Sequence, residues 1–383
     1  DVTDPEGNVL QISSEADLLP SVSTLPPSRL VMSTVDDELY LANLDGANEI
    51  LISRDGPEHS PFFSADGSHI FSLHDRSAGS RELRRRTADG TRRFTTLATL
   101  NGDYSTIRFD PSFTFAAIAS ARREESYPWG QLRSTREDES FVTGTSSEFV
   151  YNLILVNLMS SDIIEVTDSA KTDVEWNMLR RHRFFYTEVV KSSQASYAGN
   201  DYYEYPGYVE EERHLRLQGY PSRLVPVNGR KVPSYGKVFN PANRDWYLEV
   251  SGDTLMLKNE KLAFSRAVDT SAGGFENEPF TGKTPSWSGE GSRITYIKLG
   301  SGERTLVTRT VLSEGLQSAL DSFPVGVTVS GGDISMAQLA PWGWWVYYLK
   351  GNALYRTRNG GNNKTVNLSY RLGKGVDSYV ISP

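Results

Sequence analysis

The chain has 383 residues, of which 38% are hydrophobic and 11% aromatic, so it can bury a large core. Its formal net charge is −8. This argues against a nucleic-acid partner, because phosphate binding needs an excess of lysine and arginine on the docking face. Cysteine is absent, which excludes a disulfide scaffold and every cysteine-based metal site.

The same bulk properties favour an exported protein. A long chain without cysteine is compatible with the periplasm or the cell surface, where unpaired thiols are a liability. No apolar run is long enough to span a bilayer, and the sequence starts at Asp1 without a methionine. We therefore expect a periplasmic, cell-surface or secreted protein whose signal peptide or lipoprotein signal has been removed. Any membrane association would run through a lipid anchor or an envelope partner.

Both ends of the chain contain a segment that could pair with the opposite end and close a ring of repeats. Residues 1–20 are polar and rich in turn formers, with 9–12 (Val-Leu-Gln-Ile) as their one strand-like piece. Residues 376–383 have the pattern of a further repeat that stops at its turn. Either segment can close a ring of repeats by pairing with a strand from the opposite end of the chain.

The clearest structural unit lies at 59–97 and contains two hairpins. The first joins 62–63 to 70–73 through a Ser-Ala-Asp-Gly turn at 64–67. The second turns at Asp89-Gly90, and Asp-Gly is a dipeptide that reaches the positive φ angles of a tight turn. About forty residues therefore encode four antiparallel strands, which is about the length of one propeller blade.

This unit recurs along the chain. The inner hairpin has a clear copy at 284–297, and weaker copies start near residues 20, 105, 172, 233 and 333. The outer hairpin recurs at 39–53 and 354–369, with others near Leu83, Leu153, Leu215, Leu255 and Leu306. The repeats predict an all-β fold, a single β-propeller domain over 1–383 built from four-stranded antiparallel blades. We expect seven blades, with eight or six as alternatives that depend on how the ends pair.

These segments resemble the TolB-type, or WD-like, β-propeller repeat. In that family an apolar-Trp-Ser-Pro-Asp-Gly turn precedes an Ile-aromatic strand, then a Leu-Tyr strand and an Asp-Gly turn. The match is good over 29–53, 60–97, 283–297 and 353–369, and loose elsewhere. The resemblance implies a propeller that binds through its faces. It implies no activity, since folds of this kind host many functions.

Arginines cluster on the outer strands of the second repeat, at positions 81, 84, 85, 86, 92 and 93. We interpret them as a solvated blade edge, where charge guards against edge-to-edge aggregation. The alternative is a patch for an anionic partner.

Two long excursions interrupt the repeats, and the first is 122–148. It lacks a sustained period and separates the second and third strands of its repeat. Its mixed charges favour disorder or a solvated flap, whereas Tyr127 and Trp129 favour packing against another surface.

The second excursion, 191–219, has the most unusual composition in the chain. Tyrosines are interleaved there with glycine, asparagine and proline, a composition typical of contact surfaces. The segment can either contact a partner protein or pack across the chain's own propeller face, and the sequence leaves both alternatives open. The candidate binding residues of the two excursions are Tyr127, Trp129, Tyr197, Tyr202, Tyr203, Tyr205 and Tyr208.

A third unusual stretch, 341–348, reads Pro-Trp-Gly-Trp-Trp-Val-Tyr-Tyr. Strand alternation should place Trp344, Val346 and Tyr348 on one face and Trp345 and Tyr347 on the other. We expect most of these rings in the core between blades. The alternative is an exposed tryptophan that stacks on sugar rings.

The sequence contains no signature of catalytic chemistry. It has no Gly-x-Ser-x-Gly elbow and no His-Glu-x-x-His motif. His59, His69 and His74 share one repeat, but we interpret them as turn and strand-end residues. We therefore expect no cofactor, no metal and no catalytic residue. The predicted function is a non-enzymatic protein-binding scaffold of the bacterial envelope, and the alternative is a carbohydrate-active propeller, either a glycosidase, a lyase or a lectin-like binder.

Overall fold

The computed structural model describes residues 2–3, 9–10, 28–64, 66–77, 79–101, 106–110, 114–134, 139–171, 173–176, 183–191, 196–197, 202–205, 207–218, 223–227, 237–276, 285–313, 318–359 and 364–382. The regular structure within these ranges is entirely β-strand, with no helix. This agrees with the all-β prediction.

The strands fall in chain order as follows. The first half of the chain contributes β1 (Val2–Thr3), β2 (Val9–Leu10), β3 (Arg29–Thr34), β4 (Leu39–Asn43), β5 (Ile50–Leu51), β6 (Glu58–Phe63), β7 (His69–Ser77), β8 (Ser80–Thr87), β9 (Thr95–Asn101), β10 (Thr106–Phe109), β11 (Phe115–Ser134), β12 (Glu139–Asn157), β13 (Ile163–Ala170), β14 (Glu175–Trp176) and β15 (Arg183–Lys191). The second half contributes β16 (Ser196–Tyr197), β17 (Tyr202–Tyr205), β18 (Tyr208–Gln218), β19 (Arg223–Pro226), β20 (Lys237–Phe239), β21 (Trp246–Ser251), β22 (Thr254–Asn259), β23 (Phe264–Thr270), β24 (Ser286–Trp287), β25 (Arg293–Leu299), β26 (Arg304–Thr310), β27 (Val325–Gly331), β28 (Ile334–Leu339), β29 (Trp345–Lys350), β30 (Ala353–Arg358), β31 (Thr365–Asn367) and β32 (Val376–Ile381).

The chain divides into two compact units. The first comprises Asp1–Arg76, Arg84–Thr95 and Gly236–Pro383, and the second comprises Ser77–Leu83 and Thr96–Tyr235. The expectation of a single domain over 1–383 stays a prediction.

Four-stranded antiparallel sheets dominate the first unit. The strand orders of four of them are β20-β21-β22-β23, β24-β25-β26-β27, β28-β29-β30-β31 and β32-β3-β4-β5. A fifth four-stranded sheet has the order β6-β7-β8-β9, and its first strand, β6, belongs to this unit. The strand β32 is an edge strand of the fourth sheet and pairs with β3, with Leu30 opposite Ile381. The N-terminal strands instead pair with each other, Val2 opposite Leu10. Of the two candidate closing segments, the C-terminal one therefore pairs with β3, where Tyr379 is buried.

The Ser-Ala-Asp-Gly turn at 64–67 forms as its residue types predict. The backbone N–H of Ser64 donates to the carbonyl of His69 at 2.9 Å, and Gly67 has a φ of 69°. The Asp66 carboxylate accepts hydrogen bonds from the hydroxyl groups of Ser64 at 2.6 Å and Ser68 at 2.7 Å. Burial alone would raise the pKa of Asp66, but these hydrogen bonds lower it to about 2. Asp66 is therefore a structural turn residue, as its place in the Ser-Ala-Asp-Gly turn predicts.

Aromatic side chains join successive sheets through hydrogen bonds to backbone carbonyls. In the first unit Trp287 of β24 donates its indole N–H to the carbonyl of Val238 in β20 at 2.8 Å. Tyr379 of β32 donates its hydroxyl to the carbonyl of Met336 in β28. Because a buried indole or phenol needs a partner, these bonds hold an edge strand of one sheet beside an edge strand of the next.

Strand β29 confirms the predicted alternation. Val346 and Tyr348 lie in one buried cluster with Leu306. Tyr347 lies in another cluster, with Trp345 packed against it. Both faces of this strand are therefore covered, as expected for a sheet that packs between two others.

The second unit contains a ten-stranded sheet. Its path runs β16-β17-β11-β12-β13-β15-β18-β19, with β10 beside β11 and β14 beside β15. Trp176 of β14 donates its indole N–H to the carbonyl of Arg108 in β10 at 2.9 Å, the same kind of contact as in the first unit.

The excursion at 122–148 is not an irregular loop. Strands β11 and β12 continue through it as one long antiparallel hairpin, paired from Arg123–Val150 to Ser134–Glu139. A bulge at Ala121, whose φ is 54°, separates this extension from the four-stranded part. Besides this pairing, the end of β11 pairs with β17, which lies much later in the chain.

Candidate functional site

The two predicted excursions meet in one structure, which we call the excursion sheet. It comprises 122–134 and 139–150 of the long hairpin, strands β16 and β17, and the facing ends of β15 and β18. Strand β17 pairs with β11, from Gly130 opposite Tyr205 to Arg133 opposite Tyr202. Tyr197 in β16 pairs with Tyr203. The side chains of Tyr197, Tyr202, Tyr203 and Tyr205 lie outside the described residues, so their predicted contact role stays a prediction.

The excursion sheet has its own small core. Tyr127, Val150 and Val189 are buried, and Tyr208 packs against them. The rings of Tyr127 and Tyr208 lie 5.1 Å apart between centroids, at an interplanar angle of 48°. Tyr127 is therefore an interior residue that packs against Tyr208 of the second excursion, and its predicted contact with a partner stays a prediction.

A glycine lets the two hairpins approach each other. Gly207 has a φ of 74°, and a Cβ added to it would lie 2.7 Å from the carbonyl oxygen of Pro128. Only glycine combines the left-handed conformation with this close approach. Gly207 thus positions Tyr208 opposite Tyr127.

The Tyr127 hydroxyl is hydrogen-bonded to a network of charged side chains. It donates to Glu125 at 2.7 Å, and the same carboxylate accepts from the guanidinium of Arg123 at 2.8 Å. Arg123 also contacts Asp168 at 3.1 Å. Burial and the neighbouring Glu125 both raise the pKa of Tyr127 well above its usual range.

Tyr208 makes a second network of the same design. Its hydroxyl donates to Glu148 at 2.5 Å, and Lys171 donates to the same carboxylate. The hydrogen bond to Glu148 and then burial raise the pKa of Tyr208 to about 12. Both phenols are therefore protonated donors at neutral pH. Neither is available as a general base or as an ionised nucleophile.

The outer face of the excursion sheet presents an exposed aromatic ring. Phe149 is 44% exposed, and the Arg122 guanidinium lies 3.6 Å above its ring centroid. This cation–π contact holds both side chains in place on the surface. Neither residue stands out in the sequence, because the pair forms only when β11 and β12 align next to the bulge.

Trp129 packs within the hairpin. Its indole covers Gly144 on the paired strand, where an added Cβ would lie 2.6 Å from the ring. An aromatic ring laid over a cross-strand glycine stabilises the pairing. Trp129 is half-buried in this position, so part of the indole faces solvent.

The three histidines within 59–97 have separate partners. His59 contacts Ser60, His69 contacts Ser68, and His74 contacts the carbonyl of Pro57. Within the described part of the chain, no three acidic or histidine side chains come together in a group that could hold a metal ion. Of the other two histidines, His214 contacts Glu212 at 2.6 Å, and His182 lies outside the described residues.

The arginine run is partly buried, which corrects its interpretation as a solvated edge. Arg84 and Arg86 converge on the fully buried Glu58, at 2.7 Å and 2.5 Å. Ser72 donates its hydroxyl to the same carboxylate at 2.9 Å. The ring of Phe94 covers Arg84 at 3.9 Å. The sheet buries these cations because β6, an edge strand of the same sheet, supplies Glu58, whereas Arg92 and Arg93 remain exposed.

A turn at 341–344, between β28 and β29, carries the remaining exposed tryptophans. We call it the Trp turn. Trp342 is 38% and Trp344 41% exposed, while Trp345 lies under the Arg356 guanidinium, 4.4 Å from it. The predicted core role therefore holds for 345–348, and the two tryptophans of the turn reach solvent.

The strand pairing defines an all-β protein built of repeated four-stranded antiparallel sheets. No protein-family model matches the sequence, and the search of curated proteins also found no match. No helix in the described ranges is long and apolar enough to cross a membrane.

Solved structures give low-identity similarities. The chain is 10% identical to TolB from Acinetobacter baumannii, covering 74% of this chain and 60% of TolB, with a TM-score of 0.38. A putative 6-phosphogluconolactonase from Bacteroides uniformis gives 9% identity, coverage of 92% and 99%, and a TM-score of 0.48. Oligogalacturonate lyase from Vibrio parahaemolyticus gives 11% identity, coverage of 89% and 84%, and a TM-score of 0.42. All three TM-scores lie below 0.5, so the fold is described from the strand pairing of this chain alone.

Proposed function

We propose that this chain is a β-propeller that binds a partner protein through the excursion sheet. The ten-stranded sheet divides into two four-stranded groups, β10-β11-β12-β13 and β14-β15-β18-β19, plus the added strands β16 and β17. With the five four-stranded sheets, this supports a seven-bladed propeller with β32 as its closing strand. The TolB-type resemblance of the repeats supports the same arrangement.

The observation that carries the binding role is the ordered architecture of the excursion sheet. Two separate insertions pair with each other, enclose the Tyr127–Tyr208 contact and surround it with ion pairs. Long insertions in a compact domain are usually functional, and a rigid insertion presents its surface at low entropic cost.

The outer face of the sheet supplies a suitable anchor. Arginine and aromatic side chains dominate the energetics of protein interfaces, and Arg122 stacked on Phe149 provides both in one fixed arrangement. The face of the excursion sheet that carries Tyr127 and Tyr208 favours no catalytic role, because both hydroxyl groups donate hydrogen bonds to ionised carboxylates. We propose a non-enzymatic scaffold on these grounds, with an envelope location as the sequence predicts.

The role is tested with Phe149→Ala, with Leu262→Ala as the matched control. Leu262 is 60% exposed and lies in the turn between β22 and β23, in the other unit. Tagged wild type and both variants are incubated with envelope extract of the source organism, cross-linked and compared by quantitative mass spectrometry. We expect a defined protein to be enriched by the wild type and by Leu262→Ala and to be depleted with Phe149→Ala.

The candidate partner is then purified and titrated against each form. Loss of Phe149 should weaken binding about tenfold or more, as for an interface hot spot. Equal recovery and equal affinity for the three proteins, with unchanged circular dichroism spectra, would contradict binding through this face. Glycan binding, the alternative function, would use a different part of the chain, the Trp turn.

A further inference from the structure

The Trp turn exposes two large aromatic side chains on a rigid backbone. Trp342 and Trp344 are each about two-fifths exposed. Turns of this length between strands are usually polar, and exposed clusters of large apolar side chains mark binding sites.

Each of the four carbonyl groups of the turn has a hydrogen-bond donor. The backbone N–H of Glu290 donates to Pro341 at 3.0 Å, and the Arg293 guanidinium reaches the carbonyl of Trp342 at 3.4 Å. The Asn359 side chain donates to Gly343 at 2.8 Å, and its backbone N–H donates to Trp344 at 2.7 Å. Three residues from two segments, the turn at 290–293 and Asn359 after β30, thus fix the backbone that carries the two indoles.

Gly343 allows this anchoring. Its φ is 69°, and an added Cβ would lie 3.1 Å from both the Arg293 and the Glu290 side chains. The turn therefore lies directly against this charged pair, whose closest nitrogen and oxygen are 3.7 Å apart. Both side chains remain about one-third exposed, so they can also face a ligand.

We propose that the Trp turn binds the pyranose rings of an oligosaccharide. The C–H face of a sugar ring packs against the electron-rich face of an indole, and Glu290 and Arg293 offer an acceptor and donors for the hydroxyl groups beside it. Because the backbone is already anchored, binding orders little additional structure. A four-residue turn flanked by charge fits a sugar better than a protein, which needs on the order of 1,000 Å² of buried surface.

The site is independent of the excursion sheet, so either proposal can fail alone. The test uses the whole chain labelled with ¹⁵N and the indole N–H signals of its seven tryptophans. Cellohexaose, chitohexaose and maltohexaose are titrated separately, with Trp342→Phe and Trp344→Phe used to assign the two signals. We expect at least one probe to shift both signals in a saturable manner.

Trp344→Ala should then weaken binding of that probe about tenfold or more. Tyr370→Ala is the matched control, since Tyr370 is 84% exposed and follows β31 at the opposite end of the same sheet. Its affinity should equal that of the wild type. The proposal is overturned if no probe shifts the two signals, or if Tyr370→Ala weakens binding as much as Trp344→Ala. It is also overturned if the signals shift with protein concentration alone, because that result would identify the turn as a self-association surface.

Discussion

Glu58 should be one of the most sensitive positions for the stability of this protein. Its two carboxylate oxygens accept hydrogen bonds from Arg84, from both terminal nitrogens of Arg86, and from Ser72, over 2.5–2.9 Å. The arginine side chains are 5% and 1% exposed, and that of Glu58 is fully buried. Glu58→Ala would leave two guanidinium groups in the interior without this carboxylate.

The expected cost follows from the charge that remains. Breaking a buried ion pair by removing one partner destabilises by about 3–5 kcal/mol, because the other charge stays desolvated. Here one carboxylate serves two cations, so we expect at least about 4 kcal/mol. With an unfolding entropy of about 2 cal/mol/K per residue over 383 residues, this corresponds to a fall of about 5 °C in Tm if the chain unfolds as one unit.

Differential scanning calorimetry provides the assay, with two comparison proteins. Asp245→Ala removes an exposed ion pair, in which Lys261 is 74% and Asp245 38% exposed, and should cost about 0.5 kcal/mol or less. The triple variant Glu58→Leu, Arg84→Met, Arg86→Met replaces the charged groups by apolar ones of similar volume and should recover most of the lost Tm. A Tm for Glu58→Ala within 1 °C of that for Asp245→Ala would refute the reasoning, as would a triple variant less stable than Glu58→Ala.

Two further predictions concern turns. The pKa of Asp66 is about 2 in the folded protein, below its ordinary value, so its ionised form stabilises the fold above about pH 4 and this contribution is lost as the pH falls through 2. Asp66→Asn should therefore be less stable than the wild type at neutral pH, with a gap in urea midpoint that narrows between about pH 4 and pH 2; a gap independent of pH would contradict the role of the carboxylate. Gly207→Ala should lower the free energy of unfolding by about 1–3 kcal/mol and increase amide hydrogen exchange in β17. The alanine would have to adopt a left-handed φ, and its Cβ would clash with the carbonyl oxygen of Pro128. Gly252→Ala, with a φ of 60° and open space around it, isolates the backbone strain, and equal destabilisation by the two variants would show that the clash is not significant.

The local order of the fold is predictable from contiguous residues. The Ser-Ala-Asp-Gly turn at 64–67 and its copy at 288–291 both form the expected hydrogen bonds, with positive φ at Gly67 and Gly291. The residue types of a tight turn are determined by its φ angles and by hydrogen-bond donors that lie within a few positions in the sequence. The repeated spacing of such turns therefore predicts successive antiparallel hairpins.

The candidate site depended on contacts that are distant in sequence. The arginines of β8 look like solvated surface until Glu58, 28 residues from Arg86, is placed beside them. Similarly, 122–148 has no helical or strand period that reveals its pairing with β17 or the packing of Tyr127 on Tyr208. Turn chemistry selects partners from neighbouring residues, so the sequence by itself determined the tight-turn hairpins of the repeats. Burial is decided by whichever segments the fold brings together, so only the tertiary structure decided that the two excursions form one sheet, that Tyr127 is interior, and that Phe149, Trp342 and Trp344 reach solvent.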